Sequence, residues 1–281
     1  MQYSEWLKQA AKKLPASDSA KRDVEILLEH VTGRSRTYVF AFGETELSPS
    51  EYQQLELLLQ RRGLGEPIAY LTGEREFWSL PLYVSPATLI PRPDTECLVE
   101  QALTRLPLPL PLHQYSLLDL GTGTGAIALA LASELPNSNV IGVDFSMDAV
   151  ALAQKNQQRL NISNVQFMQS DWFTSLTIQQ FDMIVSNPPY IDELDSHLHE
   201  GDVRFEPSTA LVAKDQGLSD LTHIVAESKK YLKNQGWLLL EHGWQQGSAV
   251  RDLLKKHGYA HIETCLDYGG RDRVSLGQWT G

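Results

Sequence analysis

The chain has 281 residues, 42% hydrophobic and 21% charged, with a formal net charge of −11. That is the composition of a globular protein with one large and one small domain, or two medium ones. No apolar run approaches the ~20 residues of a membrane span, and an acidic total argues against a protein whose main task is gripping nucleic acid, which shows a basic footprint.

The N-terminus, from Met1 to Lys8, lacks a basic region followed by an apolar one, so no secretory signal is expected. The two distant cysteines, Cys97 and Cys265, read as reduced packing residues. A cytoplasmic location is expected.

Residues 1–72 read as a small helical bundle. Val24, Leu27, Leu28 and Val31 recur at helical spacing, with Gly33 as a stop. Ser48-Pro49-Ser50-Glu51 starts a helix: a Ser cap, Pro at the first position and Glu three residues after the cap. Tyr52, Leu55, Leu58 and Leu59 are expected on its buried face. Lys12-Lys13, Arg61-Arg62 and Lys229-Lys230 read as solvated helix faces. Phe77 to Val84 is aromatic and β-rich with Pro81 near its centre, so residues 73–93 are expected to form a hairpin linker. Asp94 is expected to cap a helix reaching about Leu106. Leu106 to Leu112 alternates Leu and Pro, a stiff extended spacer.

From Tyr115 strands alternate with helices. Strands are expected at Ser116–Leu120, Val140–Val143, Val165–Met168, Phe181–Ser186 and Trp237–Glu241. Helices are expected at Ala126–Leu135, Met147–Leu160, Leu218–Lys233 and Gly247–His257, with two closing strands from Ala260 to Trp279. This alternation implies an α/β fold with a doubly wound, mostly parallel sheet over residues 94–281 and an antiparallel C-terminal edge.

Asp119-Leu120-Gly121-Thr122-Gly123-Thr124-Gly125 lies where the first of these strands meets its helix. Glycines there permit a tight turn and close approach of backbone N–H groups to a ligand. Asp144 ends the next strand, where a carboxylate can accept both hydroxyls of a ribose. The pair fits an adenosine-containing cofactor. The loop also fits the relaxed dinucleotide fingerprint. Asp119 disfavours that reading, because it would place negative charge near a phosphate; it suits the ammonium group of S-adenosyl-L-methionine, directly or through water. Asp171 and Trp172 follow the third strand. They read either as contacts to adenine or as a solvated acid and a cap on the sheet edge.

Asn187-Pro188-Pro189-Tyr190 leaves the end of the apolar strand Phe181–Ser186. An amide NH2 is a poor nucleophile because its lone pair is delocalised. The Asn187 side-chain oxygen and the Pro188 carbonyl can each accept one of its N–H groups and aim the nitrogen at an electrophilic methyl. The prolines hold the turn rigid, and Tyr190 can stack on a flat carboxamide or base. No metal ligand set is expected among the eight histidines. His242 reads as a structural histidine. Arg92 reads as a substrate contact or a pin for the linker.

The glycine loop and Asn187-Pro188-Pro189-Tyr190 resemble the class I S-adenosylmethionine-dependent methyltransferases that act on amino groups. More narrowly, the chain resembles the peptide chain release factor glutamine methyltransferase family. The narrower likeness rests on Ile90-Pro91-Arg92-Pro93-Asp94-Thr95-Glu96, Arg204-Phe205-Glu206-Pro207 and Tyr268-Gly269-Gly270-Arg271-Asp272-Arg273-Val274.

The resemblance implies a Rossmann-like fold and methyl transfer from S-adenosyl-L-methionine to the glutamine of the Gly-Gly-Gln loop in release factors. The helical domain would help dock the release factor. By match, Gly121, Thr122, Gly123, Thr124, Gly125, Asp144, Trp172 and Asn187 would bind cofactor, and Asn187 to Tyr190 would hold the glutamine. No nucleic acid or membrane partner is expected. The tetrapeptide is shared with DNA and RNA amino-methyltransferases, which leaves an adenine-N6 or cytosine-N4 enzyme as the alternative.

Overall fold

The computed structural model describes residues 1–106, 113–177 and 179–281, without the His199 side chain. The Leu-Pro spacer beyond Leu106 lies outside the described residues. The chain divides into two compact units, Met1–Glu74 with His199–Phe205, and Arg75–Leu198 with Glu206–Gly281.

The smaller unit packs α1 (Tyr3–Lys12), α2 (Ala20–Thr32), α3 (Arg36–Ala41), α4 (Pro49–Gly63) and α5 (Ile68–Thr72) around Trp6, Leu27, Leu28 and Leu55. Gly33 ends α2 with φ 65°. α4 opens on the expected reciprocal cap: the Glu51 N–H donates to Ser48 Oγ, and the Ser48 N–H to Glu51 Oε2. Leu55 and Leu59 are buried and Leu58 half-buried. Tyr52 is exposed instead, in the first turn beside the solvent-facing cap.

Arg62 is not solvated either. Its Nε donates to Asp23 Oδ2 at 2.7 Å, and Ser17 and Ser19 hydroxyls donate to the same carboxylate. A largely buried charge requires such a partner set. Within this unit Arg204 Nη2 also donates to the Leu64 carbonyl at 2.7 Å.

The larger unit begins with a hairpin, β1 (Glu74–Phe77) and β2 (Leu80–Tyr83). A short 3₁₀ turn, Pro93–Thr95, leads into α6 (Glu96–Arg105). Asp94 lies inside that turn and caps nothing; Thr95 is the residue before α6, with no side-chain cap. Then come β3 (Ser116–Leu120), α7 (Ala126–Glu134), β4 (Asn139–Asp144), α8 (Met147–Leu160), β5 (Val165–Gln169) and β6 (Phe181–Ser186). Two-residue strands β7 (Ile191–Asp192) and β8 (Val212–Ala213) pair with each other. α9 (Lys214–Gly217), α10 (Ser219–Ser228), β9 (Leu232–Glu241), α11 (Gly247–Lys256), β10 (Ala260–Leu266) and β11 (Asp272–Gln278) complete the chain.

The expected helix over Leu218–Lys233 stops at Ser228, and β9 starts at Leu232. A register shift against β6, between Phe181–Leu232 and Met183–Trp237, absorbs the extra residues.

The main sheet runs β10-β11-β9-β6-β3-β4-β5. β5, β4, β3, β6 and β9 are mutually parallel; β10 and β11 form the antiparallel edge. Alternation along each strand sorts residues to two faces. Leu117, Met183, Val185 and Leu239 pack with α6 and α7. Leu118, Leu120, Ile184, Leu238 and Leu240 pack with α10 and α11. Helices cover both faces, the doubly wound arrangement. Among the described residues no helix is long and apolar enough to cross a membrane.

Asn156 of α8 ties the hairpin to the glycine loop. Fully buried, it accepts from the Tyr83 N–H at 2.7 Å and donates to the carbonyls of Tyr83 and Thr124 at 3.0 and 2.9 Å. Replacing Asn156 by Ala strands three backbone groups, so urea unfolding of Asn156→Ala should show a loss of about 2–4 kcal/mol, most of it desolvation left unrepaid. A loss under about 1 kcal/mol would mean that other groups serve these atoms.

Candidate active site

A cavity of about 330 Å³ opens at the carboxyl ends of the parallel strands. Its size falls within the usual range for small-ligand sites, and its place is where doubly wound sheets bind ligands. The wall contains Gly121, Thr122, Gly123, Thr124, Asp144, Asp171, Trp172, Asn187 and Pro189. Asp119, Gly125, Pro188 and Tyr190 do not line it.

The glycine loop curls around this cavity with Gly121, Gly123 and Gly125 all at positive φ. At Gly125 (φ 82°) a Cβ would also stand 2.9 Å from the Phe167 ring. The loop therefore needs glycine there for conformation and for space. The Trp172 ring stands over Gly121, 3.7 Å from where a Cβ would be.

Asp144 ends β4 with both carboxylate oxygens anchored. Oδ2 accepts from the Gly123 N–H and Oδ1 from the Ser146 N–H, each at 2.9 Å. Each oxygen keeps a lone pair for a ligand hydroxyl. Burial raises its pKa, against these backbone donors.

The next residue, Phe145, also lines the cavity and is 69% exposed. An aromatic ring left bare on a cavity wall offers a flat apolar surface to a ligand such as a base. Its place one residue after Asp144 was the signal for it in the sequence. Asp171, another residue of the wall, is exposed, and Asp220, with its pKa raised by burial, also lines the cavity.

Asp119 occupies a different position from the one expected. Odd positions of β3 face α7, so its carboxylate turns into the protein behind the loop. Oδ2 accepts from Thr122 Oγ1 at 2.6 Å and from the Ala128 N–H at 3.2 Å. Ala128 is the third residue of α7, where a carboxylate meets the positive end of the helix. Oδ1 is buried without a partner among the described residues. Burial raises the pKa to about 7, opposed by these two hydrogen bonds. Asp119 braces the glycine loop from behind rather than touching the cavity.

Asn187 stands one residue beyond β6. Its Nδ2 donates to Thr95 Oγ1 at 3.3 Å. Tyr190 turns under the sheet end, and its hydroxyl donates to Glu241 Oε1 at 3.3 Å. Gln246 holds the Tyr190 carbonyl at 3.0 Å. In the sequence Thr95 carried no signal beyond its place in Ile90–Glu96, and Glu241 none beyond being an acid at the end of the strand Trp237–Glu241.

Residues from the segments behind the narrower family resemblance form ion pairs within the larger unit. Arg92 lines the cavity and pairs with buried Glu206, which also accepts from the Ile90 N–H at 2.9 Å. Arg273 pairs with Asp267 at 2.9 Å and reaches Asp94 at 3.6 Å. His242 is turned into the sheet, 2.7 Å from Ser275 Oγ and 2.9 Å from the Gly243 carbonyl, with its pKa lowered by burial.

The family profile described as "PrmC N-terminal domain" matches residues 5–73, and "Methyltransferase domain" matches residues 112–269. The chain is 63% identical over 279 residues to the release factor glutamine methyltransferase of Escherichia coli (strain K12), covering 99% of both chains. It is 62% identical over 280 residues to that of Salmonella typhimurium, covering 100% of both. That of Vibrio cholerae is 54% identical over 276 residues, covering 97% of this chain and 95% of its own. Among solved structures, a methyltransferase from Pyrococcus furiosus aligns with a TM-score of 0.54 at 19% identity, covering 79% of this chain and 97% of that one. A 16S rRNA methyltransferase from T. thermophilus, in complex with AdoMet and guanosine, aligns with a TM-score of 0.54 at 21% identity, covering 73% and 49%. These two share the fold.

The buried Asp119 carboxyl gives a pH test with a definite sign. Its pKa in the folded protein lies above the unfolded value of about 3.9, so it favours folding most below pH 4 and loses that contribution as pH rises through about 7. Melting temperatures of the parent and Asp119→Asn at pH 5 and pH 8 should show the variant gaining on the parent as pH rises. A difference that stays constant, or moves the other way, would contradict the raised pKa.

Proposed function

The chain belongs to the release factor glutamine methyltransferase family, and from that premise we propose that it transfers a methyl group from S-adenosyl-L-methionine to a release-factor glutamine, at the side-chain amide nitrogen in the Gly-Gly-Gln motif. The observation that carries this reading is the tether on Asn187. With Nδ2 committed to Thr95, Oδ1 is left to accept from an incoming amide NH2 at the edge of the cofactor cavity.

The residues present fit the cofactor. Asp144 keeps acceptor capacity for the two ribose hydroxyls. Phe145 and Trp172 offer ring faces on the cavity wall, and the glycine loop exposes backbone on its near side. S-adenosyl-L-methionine supplies the electrophilic methyl on a sulfonium.

The protein's part is to place the amide nitrogen in line with that bond. Oδ1 of Asn187 and the carbonyl of Pro188 take one N–H each. Both acceptors gain strength as positive charge develops on nitrogen, which favours the transition state over the ground state. Alignment accounts for much of the remaining acceleration. Pro188 and Pro189 stiffen the turn, and the buried Tyr190 hydroxyl fixes its far end from beneath.

We assign the docking of the release factor to residues 1–72, which leave Phe40, Leu57 and Leu64 exposed. The reaction belongs in the cytoplasm, where translation is terminated, with no part for nucleic acid or membrane.

Transfer of labelled methyl to purified release factor, with DNA and RNA as parallel acceptors, tests the substrate. Label in the release factor is expected; label confined to nucleic acid would overturn the assignment.

In the same assay Asn187→Ala should keep cofactor affinity within a few-fold and lose about 10²- to 10³-fold in kcat, the usual effect of removing one preorganised transition-state hydrogen-bonding group. Unchanged turnover would remove Asn187 from the reaction.

A further inference from the structure

An acceptor glutamine on a folded protein must be chosen as well as held. The amide of Asn187 tests for an NH2 group, and every exposed glutamine carries one. Choice of one glutamine among many is a difference of affinities, so it requires contacts with the chain around the acceptor. Those contacts belong on surface beside Asn187 that the cofactor cavity leaves free.

The strand order puts such surface on one side. Gly121 and Asp144, which line the cavity, follow or end β3 and β4 on one side of β6; β9 and β11 lie on the other. β9 runs parallel to β6, and β11 returns beside it with Val274 opposite Glu241. Leu266 pairs with Asp272, so the β10–β11 turn, residues 267–271, projects from the same sheet edge as the tetrapeptide.

Two turns are firmly built there. Residues 243–246 are fastened to the tetrapeptide: Gln246 Oε1 accepts from the Gly243 N–H at 2.9 Å, and Gln246 Nε2 donates to the carbonyls of Tyr190 and Gln216 at 3.0 and 3.1 Å. A Cβ on Gly243 would stand 3.7 Å from the Tyr190 ring. Residues 267–271 close around Asp267. Its carboxylate accepts from the Gly269 and Arg271 N–H groups at 2.9 and 3.0 Å and from the Arg273 guanidinium at 2.9 Å.

These fixed turns hold large side chains out in solvent. Trp244 is 54% exposed and Tyr268 66% exposed. The exposed Arg271 guanidinium stands 5.8 Å from the Trp244 ring centre, which joins the two turns into one surface. None of the three lines the cavity, so the cofactor does not account for them. Trp, Tyr and Arg are the residues that dominate binding at protein interfaces, and turns already fixed lose little entropy when they bind. Glu100, 3.5 Å from the Tyr268 hydroxyl, adds negative charge at the rim, which disfavours a phosphate backbone.

We propose that residues 243–246 and 267–271 form a docking surface for the polypeptide that flanks the acceptor glutamine, with Trp244 as its anchor and Arg271 and Tyr268 beside it. The proposal rests on the function proposed above and deepens it. The surface lies on the larger unit and acts in addition to residues 1–72.

The test uses the full chain and the variants Trp244→Ala, Tyr268→Ala and Arg271→Ala. Calorimetry measures affinity for release factor with the protein saturated in S-adenosylhomocysteine, affinity for S-adenosyl-L-methionine, and affinity for an RNA oligonucleotide. Methyl transfer to release factor gives kcat and KM. Trp244→Ala should weaken release-factor binding about tenfold or more, the usual effect of deleting an interface anchor, and raise KM in step. Arg271→Ala and Tyr268→Ala should show smaller losses of the same kind. All three should keep kcat and cofactor affinity.

Unchanged release-factor affinity in Trp244→Ala overturns the surface and leaves the proposed function standing. So does a loss of cofactor affinity or kcat that accounts for the whole effect, since the turns would then only support the site. RNA affinity that falls in Trp244→Ala while release-factor affinity holds also overturns it, by giving the surface to a nucleic acid. Should Trp244→Ala prove unstable, Arg271→Ala decides the matter by the presence or absence of its loss in release-factor affinity. A parent protein that neither binds nor methylates release factor sinks the function proposed above, and this surface with it.

Discussion

Parallel register is the constraint on which this site depends. Leu120 pairs with Val143 on one side and with Ser186 on the other, and Ser186 pairs with Leu240. One step further along, Glu241, Asn187, Gly121 and Asp144 fall in a single row across four neighbouring strands. Strands lie about 4.8 Å apart, so the row runs from Glu241, through Asn187 and Gly121, to Asp144. The Ser186 hydroxyl bonds the Leu120 carbonyl at 2.7 Å and fastens the centre of the row. A slip of one residue in any of these strands would turn its member to the opposite face.

The row explains why so many acids crowd one edge of the sheet. Asp119, Asp144 and Glu241 are each desolvated, and each has its pKa raised by burial. The protein answers each differently. Asp144 takes backbone N–H groups and keeps acceptor capacity toward the cavity. Asp119 takes Thr122 and the start of α7. Glu241 takes the Tyr190 hydroxyl and lies near Arg273. Burying a charge without partners is prohibitive, so each acid constrains the backbone around it. Arg92 with Glu206, and Arg273 with Asp267, extend that framework into the loops that rim the cavity.

Much of this was legible in the sequence. The strand ends were readable because mostly apolar runs stop at Gly121, Asp144 and Asn187, where polar or flexible residues begin. The cap on α4 followed from Ser48, Pro49 and Glu51 alone. The orientation of Asp119 was not readable, since a carboxylate two residues before a glycine can face either the ligand or the following helix. Its odd position in β3, opposite α7, decides it. Arg62 looked like a surface charge because its partner Asp23 lies 39 residues away. Glu241 escaped notice for the same reason: the Tyr190 hydroxyl that meets it lies 51 residues earlier in the chain. Pattern reports which face a residue takes, and only the fold reports what meets it there.

The central claim is that the row at the strand ends delivers a methyl group to a glutamine side-chain nitrogen. Tandem mass spectrometry of release factor, after incubation with the protein and S-adenosyl-L-methionine, tests it most directly. The account predicts a single added methyl group on the side-chain amide of the Gly-Gly-Gln glutamine. A methyl group on any other residue, or an unmodified release factor beside active enzyme, would contradict it.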